Sequence, residues 1–176
     1  MEKNTNTRRE FIVKSAAATA GLAGGLNSYG FSQTSANDKI RVGFIGIGNR
    51  GSQLLGLFMQ QPDVEVAALC DIYEPYLLRD RSKVDPRYLA EMPGQIPKLN
   101  EVFTKKPTLY RDYRDLLKDK TIQAVCIATP DHWHAKQTIE AIRAGKDVYV
   151  EKPLTNTLVE GRMMVDAWKA SDRVVA

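Results

Sequence analysis

The sequence has little of what several function classes require. Among 176 residues there are two cysteines, Cys70 and Cys126, and two histidines, His132 and His134. Both cysteines fall in apolar runs that read as strands on either side of a shared first strand. Strands two places apart lie about 10 Å from each other, beyond the roughly 7 Å Cα limit of a disulfide. The cysteines therefore read as buried thiols acting as small hydrophobes. No further ligand stands at zinc spacing. The two histidines, at i and i+2, have no carboxylate or third imidazole placed to complete a metal site. Clustered positive charge is also missing. Of the net +4, residues 1–36 carry +2, from Lys3, Arg8, Arg9 and Lys14 against Glu2 and Glu10. Nucleic-acid binding gains no support from this distribution. No apolar run suits a membrane-spanning helix, which takes ~20 residues, and no internal repeat is visible.

What the sequence does have is concentrated in Val42–Gly51, Val-Gly-Phe-Ile-Gly-Ile-Gly-Asn-Arg-Gly. An apolar run, Ile40 to Ile45, ends in Gly46-x-Gly48-x-x-Gly51. Helical spacing follows at Leu54, Leu57 and Phe58. Strand, glycine turn and helix form the context of a dinucleotide fingerprint. Gly46 permits the turn, Gly48 lets a pyrophosphate approach the backbone, and Gly51 lets helix and strand pack closely. Asn49 and Arg50 complete this cofactor-binding turn, whose helix directs free N–H groups at phosphates. Asp71, twenty residues after Gly51, ends the next apolar run, Val64 to Cys70. An acid there accepts from the adenosine ribose hydroxyls and disfavours a 2′-phosphate, so NAD is expected over NADP. Arg50 could partly offset that charge.

The first 36 residues read as an address. Thr7-Arg8-Arg9-Glu10-Phe11-Ile12-Val13-Lys14 precedes a weakly apolar, Ala- and Gly-rich stretch, Ser15 to Leu26, with small residues at Thr34-Ser35-Ala36. The stretch fits the apolar region of an export signal, and the arginine pair resembles a twin-arginine signal. No cysteine near the cut would carry a lipid anchor. This predicts a partner in the twin-arginine export machinery, no permanent membrane anchor, and a periplasmic or otherwise exported protein.

Beyond the glycine turn, strands and helices alternate. The pattern predicts a helix ending at Gln61-Pro62, a short helix over 74–81, and a long irregular segment from Ser82 to Pro107 with one short helix at Pro86 to Met92. It then predicts a strand at Thr108 to Tyr110 and a helix capped by Asp112. Next come a strand at Ala124 to Ala128 and a helix to Ala144, stopped by Gly145, with Ala135, Ile139 and Ile142 on its apolar face. A strand at Asp147 to Val150 and a helix opened by a Thr157–Glu160 capping box follow. In that last helix Val159, Met163, Ala167 and Ala170 share a face, and Val174 begins another strand. Such alternation argues for an α/β fold, a Rossmann-type doubly wound parallel sheet with helices on both faces. Ligands bind off the carboxyl ends of such strands. The unusual clusters all fall there: Gly46–Gly51, Asp71, Thr129–His134 and Glu151–Pro153.

Taken together, Gly46–Gly51, Thr129-Pro130-Asp131-x-x-His134, Ala144-Gly145-Lys146 and Glu151-Lys152-Pro153 resemble the glucose–fructose oxidoreductase and inositol dehydrogenase family, Gfo/Idh/MocA. The resemblance covers Lys39 to Ala176. It implies a two-domain oxidoreductase that passes a hydride between a nicotinamide cofactor and a sugar, polyol or related substrate. Thr129 and Pro130 would then line the cofactor groove, His134 would start the helix beside it, Glu151 would lie near the nicotinamide ribose, and Lys152 would be the catalytic lysine. A cation at the reacting oxygen stabilises developing alkoxide charge and can relay its proton. Where family members often have Asn, this chain has Asp131. The family's second, substrate-binding domain is absent from the sequence. Residues 37–176 are therefore expected to be an NAD(P)-binding Rossmann domain, truncated at its C-terminal end and catalytically incomplete alone. Homo-oligomer formation is left open for a full-length form.

Two alternatives stand beside the oxidoreductase. One is a glycosidase or lyase that uses bound NAD for transient oxidation. Exported relatives of that kind tend to lack Glu-Lys-Pro, which favours net oxidoreduction. The other is a non-catalytic cofactor-binding module.

Overall fold

A computed structural model describes residues 39–176. The export-signal reading of residues 1–36 lies outside the described residues. Five strands form one parallel sheet: β1 (Ile40–Ile45), β2 (Val64–Cys70), β3 (Thr108–Tyr110), β4 (Ala124–Ile127) and β5 (Asp147–Val150), in the order β3-β2-β1-β4-β5. Among the described residues six α-helices accompany them: α1 (Asn49–Phe58), α2 (Glu74–Leu77), α3 (Pro86–Glu91), α4 (Tyr113–Lys118), α5 (Asp131–Arg143) and α6 (Leu158–Lys169). This is the expected doubly wound topology, with its crevice where the strand order reverses between β1 and β4. Among the described residues no helix is long and apolar enough to cross a membrane.

The strands are nearly continuous apolar runs because both faces are covered. On one face Ile45, Ala68, Val125, Ile127 and Val148 pack against Leu116 and Leu117 of α4, Ile139 and Ile142 of α5 and Met164 of α6. On the other, Val42, Phe44, Leu69 and Cys126 pack against Leu54 and Leu55 of α1 and Leu77 of α2. Cys70 and Cys126 are free and buried on the strands flanking β1. Burial pushes both thiols up to about 12, which keeps them protonated and inert.

Several local expectations change. The helix predicted over 74–81 ends at Leu77. Arg79 turns left-handed (φ 55°), the Asp80 N–H returns to Pro75 O (3.0 Å), and Asp80 then caps a separate 3-10 turn, Arg81–Lys83. The irregular segment holds α3 and a further 3-10 turn, Pro93–Gln95. In α1 the inward pair is Leu54 and Leu55, while Leu57 is exposed. Leu57 lies two positions after Leu55, about 200° around the helix, which places them on opposite sides of it. In α6 the buried residue is Met164, with Ala167 beside it, while Val159, Met163 and Ala170 face outward. That helix rests on α5 along one narrow stripe, so only an i, i+3 pair is covered. Its capping box forms as expected, with both Thr157 and Glu160 engaged. Val174–Ala176 runs parallel to β5 through a Val148–Val175 bridge.

Candidate functional site

Gly46 leaves β1 with φ +81°, and a Cβ there would sit 2.8 Å from Thr129 N. A Cβ on Gly51 would sit 2.0 Å from Gly46 O, so α1 can approach β1 only through a glycine. Gly48 differs. A Cβ on it would meet nothing nearer than the Tyr76 ring at 3.4 Å, an ordinary contact. The protein's own packing does not demand a glycine there, whereas close approach of a ligand does. Gly48 also caps α1 without a side-chain hydrogen bond, and no acid stands in the first turn. By contrast, Asp112 caps α4 and Thr157 caps α6. An uncapped helix start beside an open glycine fits a pyrophosphate.

Asp71 follows β2 at the same edge. Its Oδ2 accepts from the Ile47 N–H and its Oδ1 from the Tyr73 N–H, both at 2.9 Å. The carboxylate thus holds the glycine turn to the loop after β2. Each oxygen retains a further lone pair for a ribose hydroxyl.

After β4, Thr129 Oγ1 donates to Gln137 Oε1 at 2.6 Å. His134 is 1% exposed. Its Nε2 lies 2.7 Å from Thr129 O and its Nδ1 2.7 Å from Pro153 O. The ring therefore joins the turn after β4 to the turn after β5, a cross-link rather than a wall of the cleft.

At the end of β5, Glu151 is buried and pairs with Arg50 of α1, Oε1 to Nη2 at 2.7 Å. The Arg50 hydrogen bond holds the Glu151 carboxyl below the usual carboxylate range, against the opposing effect of burial. Arg50 thus reaches toward β5 and not toward the Asp71 side, where a 2′-phosphate would sit. Lys152 follows, exposed, joined to Pro153 by a cis peptide bond. Among the described residues its ammonium has no ion-pair partner.

A cavity of about 570 Å³ opens along this edge. Gly46, Gly48, Asp71, Thr129 and Pro130 line it, while Asn49, Arg50, Gly51, His134, Glu151 and Lys152 stand outside its wall. Sequence reasoning missed several lining residues: Tyr73, Tyr76, Arg111, Tyr113 and Gln137. Trp133 also lines the cavity, edge-on to Tyr113 at 6.3 Å. Gln137 alone had a signal, a polar residue within the inward face of α5. Aromatic rings and a flexible guanidinium suit a flat base, and the glycine turn suits phosphates. Among the described residues no group of three metal-ligating side chains converges.

Comparison with known proteins agrees with this geometry. Residues 40–176 match the Gfo/Idh/MocA oxidoreductase family, NAD-binding Rossmann fold. A glycosyl hydrolase family 109 protein of Shewanella baltica is 36% identical over 90% of this chain, which spans 36% of that protein. The fold matches that of myo-inositol 2-dehydrogenase from Lactobacillus plantarum, with a TM-score of 0.58 at 24% identity over 78% of this chain and 35% of the other. It also matches the WlbA dehydrogenase of Bordetella pertussis, solved with NADH and UDP-GlcNAcA, with a TM-score of 0.60 at 24% identity over 80% and 35% of the two chains. The chain spans about a third of the length of these relatives. It belongs to the Gfo/Idh/MocA oxidoreductase family and carries its NAD-binding fold.

Proposed function

We propose that this member of the Gfo/Idh/MocA family is the cofactor-binding part of an exported, NAD-dependent enzyme that moves a hydride from a carbinol carbon of a sugar or polyol. The observation that carries the reading is the Arg50–Glu151 pair. It ties the phosphate-binding turn to the strand end that bears Lys152, which supports a cofactor and a lysine that act on one edge of the sheet. NAD, when bound, supplies the hydride acceptor. Gly48 and the start of α1 would hold its pyrophosphate, Asp71 its adenosine ribose, and Thr129 and Pro130 the wall of the groove. Lys152 Nζ would hydrogen-bond the substrate oxygen and stabilise charge as its proton leaves. Asp71 favours NAD over NADP because a 2′-phosphate would meet its carboxylate. Arg8 and Arg9 would direct the protein through the twin-arginine route.

A second reading keeps the same hydride abstraction but returns the hydride after a glycosidic bond is cleaved. The 36%-identical glycosyl hydrolase family 109 relative favours it, while Glu151-Lys152-Pro153 favours net oxidoreduction. Calorimetry with NAD and NADP tests the cofactor assignment. NAD should bind more tightly, and Asp71→Ser should level the two, whereas equal affinities in the unmutated protein would count against it. On the full-length gene product, a growing 340 nm band with a sugar marks net oxidation. Sugar release without that band marks the redox-neutral reaction.

A further inference from the structure

The glycine turn is held from beneath by a device that no motif announces. Arg79 and Glu101 form a two-pronged ion pair, Nε to Oε2 at 2.9 Å and Nη2 to Oε1, with both side chains largely buried. The same guanidinium donates to Ile47 O from Nη1 and to Ser52 Oγ from Nη2, each at 2.9 Å. Ser52 Oγ in turn donates to Ile47 O at 3.0 Å. Arg79 and Glu101 come from opposite ends of the irregular segment between α2 and β3, and the pair closes that segment onto the turn.

The backbone on both sides of the pair is unusual. Arg79 has φ 55°, and Leu99, two residues before Glu101, also has φ 55°. These are the two non-glycine residues with positive φ among the described residues. At Arg79 the position is the left-handed residue after a helix, where glycine is ordinarily favoured. Its N–H bonds Tyr76 O, and the following N–H bonds Pro75 O. A glycine would satisfy that backbone at lower cost. The side chain is what glycine could not supply.

Its effect follows from peptide geometry. The Ile47–Gly48 peptide is trans, so the Ile47 C=O and the Gly48 N–H point in opposite directions. With Ile47 O drawn under the turn by Arg79 and Ser52, the Gly48 N–H is directed to the other side, where Gly48 lines the cavity. Asp71 fixes the Ile47 N–H but leaves the next peptide free. Because residue 48 is glycine, that peptide could otherwise rotate and present its carbonyl to the phosphates.

We propose that Arg79, braced by Glu101, is a positioning residue that locks the Ile47–Gly48 peptide with its N–H toward the cofactor pyrophosphate. The inference rests on the NAD-binding reading above and adds the part of the ligand that the clamp serves. Its signature is selective: affinity falls for the phosphates and not for the adenosine.

The test is a ligand ladder of adenosine, AMP, ADP and NAD. Binding is measured by ligand-observed NMR and calorimetry on the whole chain, unmutated and as Arg79→Met, Arg79→Gly, Arg79→Lys and Glu101→Gln. Arg79→Met should weaken NAD about tenfold or more, the scale of a lost charged hydrogen bond, and leave adenosine within about twofold. Arg79→Gly keeps the turn after α2 unstrained and should show the same selective loss, so it decides the matter if Arg79→Met does not fold. Glu101→Gln should be intermediate, and Arg79→Lys should restore only part of the loss because it lacks the fork. NAD affinity unchanged in Arg79→Gly would overturn the clamp, as would an equal loss for adenosine and NAD. If the unmutated chain binds none of the ladder, the cofactor reading itself falls.

Discussion

The glycine turn and the segment after β5 stand on the same edge of one sheet but are built in opposite ways. Around the turn, both backbone polar groups of Ile47 have partners: Asp71 on its N–H, Ser52 and Arg79 on its carbonyl, with Glu101 behind Arg79. After β5, Lys152, Leu154, Leu158, Val159 and Met163 are exposed, and α6 buries only Met164. A site that must bind phosphates needs its donors aimed before the ligand arrives, and the chain supplies that aim from its own residues. The segment after β5 carries Lys152, the lysine proposed to act on the substrate, but presents one wall only. The first region is braced by its own side chains, and the second lies open.

The largest expected break of this contrast comes from two glycines. Gly51→Ala puts a methyl group 2.0 Å from Gly46 O. Backbone meets it, so α1 must move, with an expected loss of about 3 kcal/mol or more and loss of NAD binding. Gly161→Ala in α6 meets only Thr155 at 3.5 Å and should raise stability by up to about 1 kcal/mol through helix propensity. Denaturant melts of both variants check this.

Next, Lys152→Ala in a full-length form should lower kcat about 10²-fold or more, the scale of a lost acid–base group. NAD affinity should change little, because the proposed pyrophosphate and adenosine-ribose contacts, Gly46–Gly51 and Asp71, lie in the other region. Steady-state kinetics beside calorimetry separate the two. Full turnover in the variant would move the chemistry away from β5.

The Arg50–Glu151 pair joins the two regions, and acid should loosen it. Its carboxyl is held below the ordinary Glu value chiefly by the Arg50 hydrogen bond. The pair's contribution is therefore present at pH above the unfolded Glu value, about 4.3, and is lost as pH falls through the lower folded value. Arg50→Gln should flatten that acid limb of a stability–pH profile. The effect is small and salt-dependent, since Arg50 is half exposed.

The smallest effect is expected where α6 faces outward. Leu158 is 95% exposed, so Leu158→Ser should change this chain's melting free energy by less than about 0.5 kcal/mol. A larger loss would mean that the face is covered.

Much of the fold was legible in the residues. The apolar runs gave β2, β3 and β5 their observed bounds, and Thr157–Glu160 marked the start of α6. Local chemistry decides these features: side-chain period, caps and glycine turns act within a few residues. Legibility failed where a face is chosen by what lies across from it. Leu55 is buried and Leu57 exposed because β1 and β2 lie on one side of α1. Val159 and Met163 have apolar side chains and no surface to cover.

By itself the sequence determined the alternation of strands and helices, the placing of the glycine turn, acid and lysine at the carboxyl ends of their strands, and the family. Only the tertiary structure decided which side chains meet across the loops. Arg50 and Glu151 are 101 residues apart, Arg79 and Glu101 are 22 apart, and His134 spans 19 residues to Pro153. Such pairs have no period or spacing rule, because loops are brought together by the sheet and not by their own residues. A guanidinium has the reach to bond several partners, and which one it takes depends on the distances that the folded sheet sets.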